Sequence, residues 1–124
     1  MTEIVYERLY KAVVPTLPNA WTKIIIYAAF VKDSCDIKYY VKVNDGSVYD
    51  CFQLQINPKQ IFDILAQIHH ELAIARNPLS PDKRWNGVTI VIENDGAFHA
   101  DFDYDELTLN AGVNEQWTQK YLKK

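Results

Sequence analysis

"WNGVTIVIENDGAFHADFDY", residues 85–104, decides the fold. Asn94-Asp95-Gly96 separates two runs rich in β-branched and aromatic residues, and Asp-Gly tolerates the positive φ that a tight turn demands, so the stretch predicts a β-hairpin. Along its second arm Phe98, Ala100, Phe102 and Tyr104 fall on one face and His99, Asp101 and Asp103 on the other. The aromatic face is expected to join the core. Acids and a histidine then project together from the opposite face.

Working towards the N-terminus, "NPKQ" at 57–60 carries helix-start signals: an Asn cap, Pro at the first helical position, and Gln60 placed to reach back to the cap. Ile61, Leu65, Ile68, Leu72 and Ala75 recur at spacings of three and four, so an amphipathic helix runs from there to about Asn77 and buries its stripe. Three strands precede it. "WTKIIIYAAFV" from Trp21 is apolar enough to be buried on both faces. After a break at "DSCD", Cys35, Ile37, Tyr39, Val41 and Val43 alternate with Asp36, Lys38, Tyr40, Lys42 and Asn44, the period of a strand with one wet face. Asn44-Asp45-Gly46 turns the chain into a third strand, "VYDCFQLQI", ending at Asn57. A first helix, capped by Thr2 and placing Val5, Leu9, Ala12 and Val13 on one face, stops before Pro15. The closing "NEQWTQKYLKK" reads as a short helix that docks through Trp117 and Tyr121, one turn apart.

The fold class is therefore α+β: one antiparallel sheet of about five strands in the order α-βββ-α-ββ-α, with the helices mainly on one face and the other face left open. The 124 residues, 48% hydrophobic and 13% aromatic, suffice for one sizeable core, and 1–124 is read as a single domain. Trp21, Trp85 and Trp117 are read as packing residues.

With 13 Lys+Arg against 16 Asp+Glu the formal charge is −3, which gives no overall attraction to nucleic acid or to an anionic membrane. "MTEIVYERLYKAVV" lacks a secretory pattern and no stretch reaches the ~20 apolar residues of a membrane span, so the cytoplasm is the expected compartment. Cys35 and Cys51 form no CxxC pair and are expected to stay reduced.

Three kinds of chemistry could use the acidic arm. His99 and Asp101 could share a metal ion, but no third ligand stands at a telling distance, and His69 and His70, adjacent on a helix, point apart. Asp101 and Asp103 could be a catalytic pair, yet such carboxylates need different environments, and these two share one exposed face. No nucleophile elbow and no phosphate-cradling glycine loop is present. No catalytic residue, metal or cofactor is therefore assigned, and a small metal-dependent or carboxylate-based hydrolase stays as the alternative. The third use is a docking surface for a basic protein, made of Asp101 and Asp103 with His99, Glu93, Asp95, Asp105 and Glu106 around them. Tyr40 and Tyr49 are expected to add outward aromatic contacts.

"AWTKIIIYAAFV", "YYVKVNDGSVYD", "RWNGVTIVIENDGAFHADFDYDEL" and "WTQKYL" together resemble, in order and spacing, the YezG-like immunity proteins of bacterial polymorphic toxin systems. The resemblance covers most of the chain and is most specific from Trp85 to Leu107 and at the closing motif. It implies a small cytoplasmic protein that binds and blocks the C-terminal toxin domain of a larger secreted protein. Such toxins are often nucleases, whose substrate groove must be basic to hold phosphate.

Overall fold

A computed structural model describes residues 1–32, 34–105 and 115–123. Glu106, Asn114 at the start of the predicted closing helix, and Lys124 lie outside these residues. The elements run α1 (Glu3–Val13), β1 (Trp21–Val31), β2 (Ser34–Val43), β3 (Val48–Asp50), α2 (Pro58–Arg76), β4 (Gly87–Glu93), β5 (Phe98–Asp103) and α3 (Glu115–Tyr121). The five strands form one antiparallel sheet in the order β3-β2-β1-β4-β5. The predicted α+β class and element order hold.

Strand β1 is central because its sequence leaves it no wet side: Ile24 to Ala29 are six consecutive buried residues. Alternation sends Ile24, Ile26 and Ala28 to one face, where they meet Val41, Val88 and Ile90 from the neighbouring strands under Leu9 and Val13 of α1 and Ile61, Ile68 and Leu72 of α2. This is the larger apolar layer. Burying each such side chain is worth about 1.5–3 kcal/mol, so this layer dominates the stability of the fold. The packing of α1 and α2 on one face is the arrangement expected of the sheet.

Both hairpin turns form as read, with Gly46 at φ 89° and Gly96 at φ 94°, values that a side chain would strain. Asn57 caps α2, its side-chain oxygen accepting from the Lys59 amide at 2.8 Å, with Pro58 at the first position. Thr2 precedes α1, but its side chain makes no capping hydrogen bond.

Helix α1 ends at Val13, before Pro15 as expected, and Val14–Thr16 follow as a 3-10 turn in which Pro15 needs no amide donor. One boundary differs from expectation. The third strand stops at Asp50 instead of running to Asn57, because Cys51–Gln53 form a 3-10 turn closed by a capping box. In it the Asp50 carboxylate accepts from the Phe52 amide at 2.7 Å, and the Asp50 amide donates to the Gln53 side chain at 2.8 Å.

The second face of the sheet is not open. Ile25, Tyr27, Ala29, Tyr40 and Val91 form a smaller apolar layer around Trp117 of α3, with Tyr121 and Leu122 packed beside it. Trp21 is half-buried against Tyr10, whereas Trp85 and Trp117 are buried.

Candidate functional site

Among the described residues strand β5 is an edge, paired only to β4, and its register separates two kinds of side chain. Phe98, Ala100 and Phe102 lie opposite Ile92, Ile90 and Val88, on the side of α1 and α2. Phe98 stacks on Tyr6 with ring centroids 4.1 Å apart, and Phe102 rests on Trp85 at 5.5 Å. Both rings are exposed, so the aromatic face of β5 rims the core instead of joining it as expected; among the described residues no strand lies beyond them. His99, Asp101 and Asp103 lie opposite Val91, Thr89 and Gly87 on the other face, and all three are exposed. The alternation read from the sequence is therefore present. Tyr104 falls one residue beyond the strand and is exposed.

The acids are not equally available. The Tyr121 hydroxyl donates to Asp101, and the Lys120 ammonium stands 4.0 Å from the same carboxylate, so α3 already engages it. Glu93 lies 3.8 Å from Lys23 on β1. Asp103 differs: among the described residues its carboxylate accepts only from the Asp105 amide, at 2.9 Å, and no cation pairs with it. Asp95 caps the hairpin through the Ala97 amide at 2.9 Å. Asp95 and Asp105 thus stand at opposite ends of an edge about 20 Å long, from six residues at about 3.3 Å each.

The two tyrosines expected at this surface do not join it. Tyr40 does lie on the face of His99 and Asp101, but it is buried with its ring 5.5 Å from that of Trp117, because α3 covers what the alternation of β2 marked as a wet face. Tyr49 sits opposite Val41, on the side of α1 and α2, where it is exposed at the far edge of the sheet. The two rings therefore cannot face one partner together.

Asn86 is a residue whose role the sequence reading missed. Its side-chain nitrogen donates to the Tyr104 and Asp105 carbonyls at 3.1 and 3.0 Å, its amide donates to the Asp103 carbonyl at 2.7 Å, and its side-chain oxygen accepts from Arg76 at 3.1 Å. One side chain thus ties the acidic end of β5 to the end of α2. Asn-Gly before a strand is the local signal; the partners were invisible because they lie 10 to 19 positions away.

Two concavities lie elsewhere. A cleft of about 960 Å³ opens beside Phe30, Cys35, Asp36, His69 and Arg76. Burial first, then the Asp36 charge, push the Cys35 thiol up to about 11, so at neutral pH it is a thiol and not a nucleophilic thiolate. A groove of about 540 Å³ runs between α1 and the β4–β5 turn, lined by Glu3, Glu7, Glu93, Asp95 and the rings of Tyr6, Tyr10, Trp21 and Phe98.

No three His, Cys, Asp or Glu side chains among the described residues converge to hold a metal ion. No helix among those residues is long and apolar enough to cross a membrane. The surface carries an acidic edge strand, exposed rings at Phe98, Phe102 and Tyr104, and two concavities beside the helices. Comparison with known proteins gives the family. The chain belongs to the YezG-like immunity proteins: the family model described as "Immunity protein YezG-like" matches residues 2–123. Immunity protein YezG of Bacillus spizizenii is 20% identical over 112 residues, covering 82% of this chain and 68% of that protein. Immunity protein YezG of Bacillus subtilis is 26% identical over 98 residues, covering 73% of this chain and 65% of that protein. The chain therefore spans about two thirds of the length of these relatives. The resemblance read in the sequence is correct, and the family is one of immunity proteins and not an enzyme family.

Proposed function

We propose that this chain, acting as one domain in the cytoplasm, binds a cognate toxin domain and neutralises it by covering a basic substrate groove, the toxin being a nuclease. Membership of an immunity-protein family supports a toxin as the partner. One observation carries the choice of surface: β5 is an edge strand from which His99, Asp101 and Asp103 emerge on one face, with Asp105 just beyond. Within that strip Asp103 and Asp105 are the principal anchors, His99 and Asp95 flank them, and Asp101 and Glu93 act with their own lysines at the rim.

Such a surface suits a nuclease groove, which must be basic to bind phosphate. Complementary charge raises association rates to roughly 10⁸–10⁹ M⁻¹s⁻¹ at low salt, and speed matters to a cell whose nucleic acid is under attack. The test is co-expression with the toxin encoded beside this chain. Asp103→Lys combined with Asp105→Lys is expected to abolish growth protection and slow association at least about tenfold, with circular dichroism unchanged. Full protection by the folded double variant would remove β5 as the contact. A purified toxin that leaves DNA and RNA intact would remove the nuclease assignment.

A further inference from the structure

On the face that carries α3, a hollow of about 230 Å³ lies between the helix and the β4–β5 pair, with Tyr27, Gly87, Asp101, Asp103, Lys120 and Tyr121 among its walls. Its acids alone would say little. Tyr27 adds an independent feature: the residue is only 4% exposed, and its hydroxyl is buried with no hydrogen-bond partner among the described residues. A buried hydroxyl without a partner costs about 1–3 kcal/mol, and a phenylalanine would fill the same space without that penalty. The hydroxyl also lies within the field of the Asp36 and Asp103 carboxylates. The hollow thus combines an acceptor and a carboxylate that, among the described residues, lack a hydrogen-bond donor and a counter-cation respectively, with the rings of Trp117 and Tyr121, which stand 5.3 Å apart.

We infer that this hollow receives one arginine side chain of the bound partner. The inference rests on the reading that this face meets a toxin, and narrows it to a single anchoring contact. A guanidinium carries donors in a planar fork, so one can go to Asp103 and, once the side chains over Tyr27 shift, another to its buried hydroxyl, with the plane along the rings. Asp101 contributes charge but is already held by Tyr121 and Lys120. The Lys120 side chain, 63% exposed, has room to swing toward solvent as the arginine enters.

The test uses the intact chain and no toxin. N-acetyl-arginine amide is titrated while the amide resonances of Gly87 and Thr89 and the indole resonance of Trp117 are followed. N-acetyl-citrulline amide, of the same shape without the charge, is the control. Saturable shifts confined to these residues are expected with arginine and absent with citrulline. Asp103→Asn keeps the acceptor for the Asp105 amide and removes only the charge; it is expected to weaken binding about tenfold. Tyr27→Phe is expected to weaken it a few-fold without loss of stability. Equal shifts from the two probes, or unchanged affinity in Asp103→Asn, would overturn the assignment. Arginine binding alongside failed protection against the toxin would leave the hollow standing and remove the toxin reading. Protection without discrimination between the probes would do the reverse.

Discussion

Cys35 and Tyr27 hold their protons through burial, and nearby Asp36 adds to the effect in both. The thiol is pushed from 9.0 up to about 11 and the phenol from 10.0 up to about 12. In each the charged form is the deprotonated one, and folding disfavours it. Their contribution to stability is therefore complete below the unfolded values and is lost as pH climbs through the folded ones: from 9 to 11 for Cys35 and from 10 to 12 for Tyr27. Urea midpoints should decline across that alkaline window, and Tyr27→Phe should flatten its upper part. A decline equally steep in Tyr27→Phe would assign the effect to other groups. Tyr40 marks the limit of sequence reading at this scale. Its place in the alternation of β2 was legible, but its burial depends on Trp117, which lies 77 positions away in the chain.

The elements were legible where their signals are local. Both Asp-Gly turns, the Asn57-Pro58 start of α2 and the alternation of β5 each rest on a run of six residues or fewer. The early end of β3 was also written locally, as the Asp50…Gln53 pair, but the apolar run "CFQLQI" outweighed it. What no local pattern could give was the side of the sheet on which α3 lands. That is set by Trp117, whose indole donates to the Thr89 hydroxyl at 2.9 Å from within the smaller apolar layer. Replacing Thr89 by Val removes this acceptor at nearly constant volume and should destabilise the docked helix by about 1 kcal/mol. Tryptophan-fluorescence unfolding in urea would read the change, and Thr89→Ser should restore most of it. A Thr89→Val transition superimposable on that of the parent would show that packing alone seats α3.

Across the whole molecule, a formal charge of −3 conceals an uneven distribution. Lys23, Lys38 and Lys120 pair with Glu93, Asp50 and Asp101 on the face of α3, so that among the described residues of this face Asp103 of β5 keeps no cationic partner. Steering by so local a field is screened over roughly 8–10 Å at ordinary ionic strength. Raising sodium chloride from about 50 to about 200 mM should therefore slow toxin association several-fold and leave dissociation little changed, as stopped-flow mixing would register. A rate indifferent to salt would mean that shape, and not charge, guides the encounter.

The six-residue buried run of β1 forms the common wall between a thick layer beneath α1 and α2 and a thin one beneath α3. No ladder bond between strands involves α3, so lifting that helix unties none of them. Opening of α3 alone is therefore expected at a lower free energy than unfolding of the sheet, which amide hydrogen exchange would register. Under the proposed reading, substitutions on α3 would alter the surface beside the acidic edge while the strand ladder beneath it stays as it is.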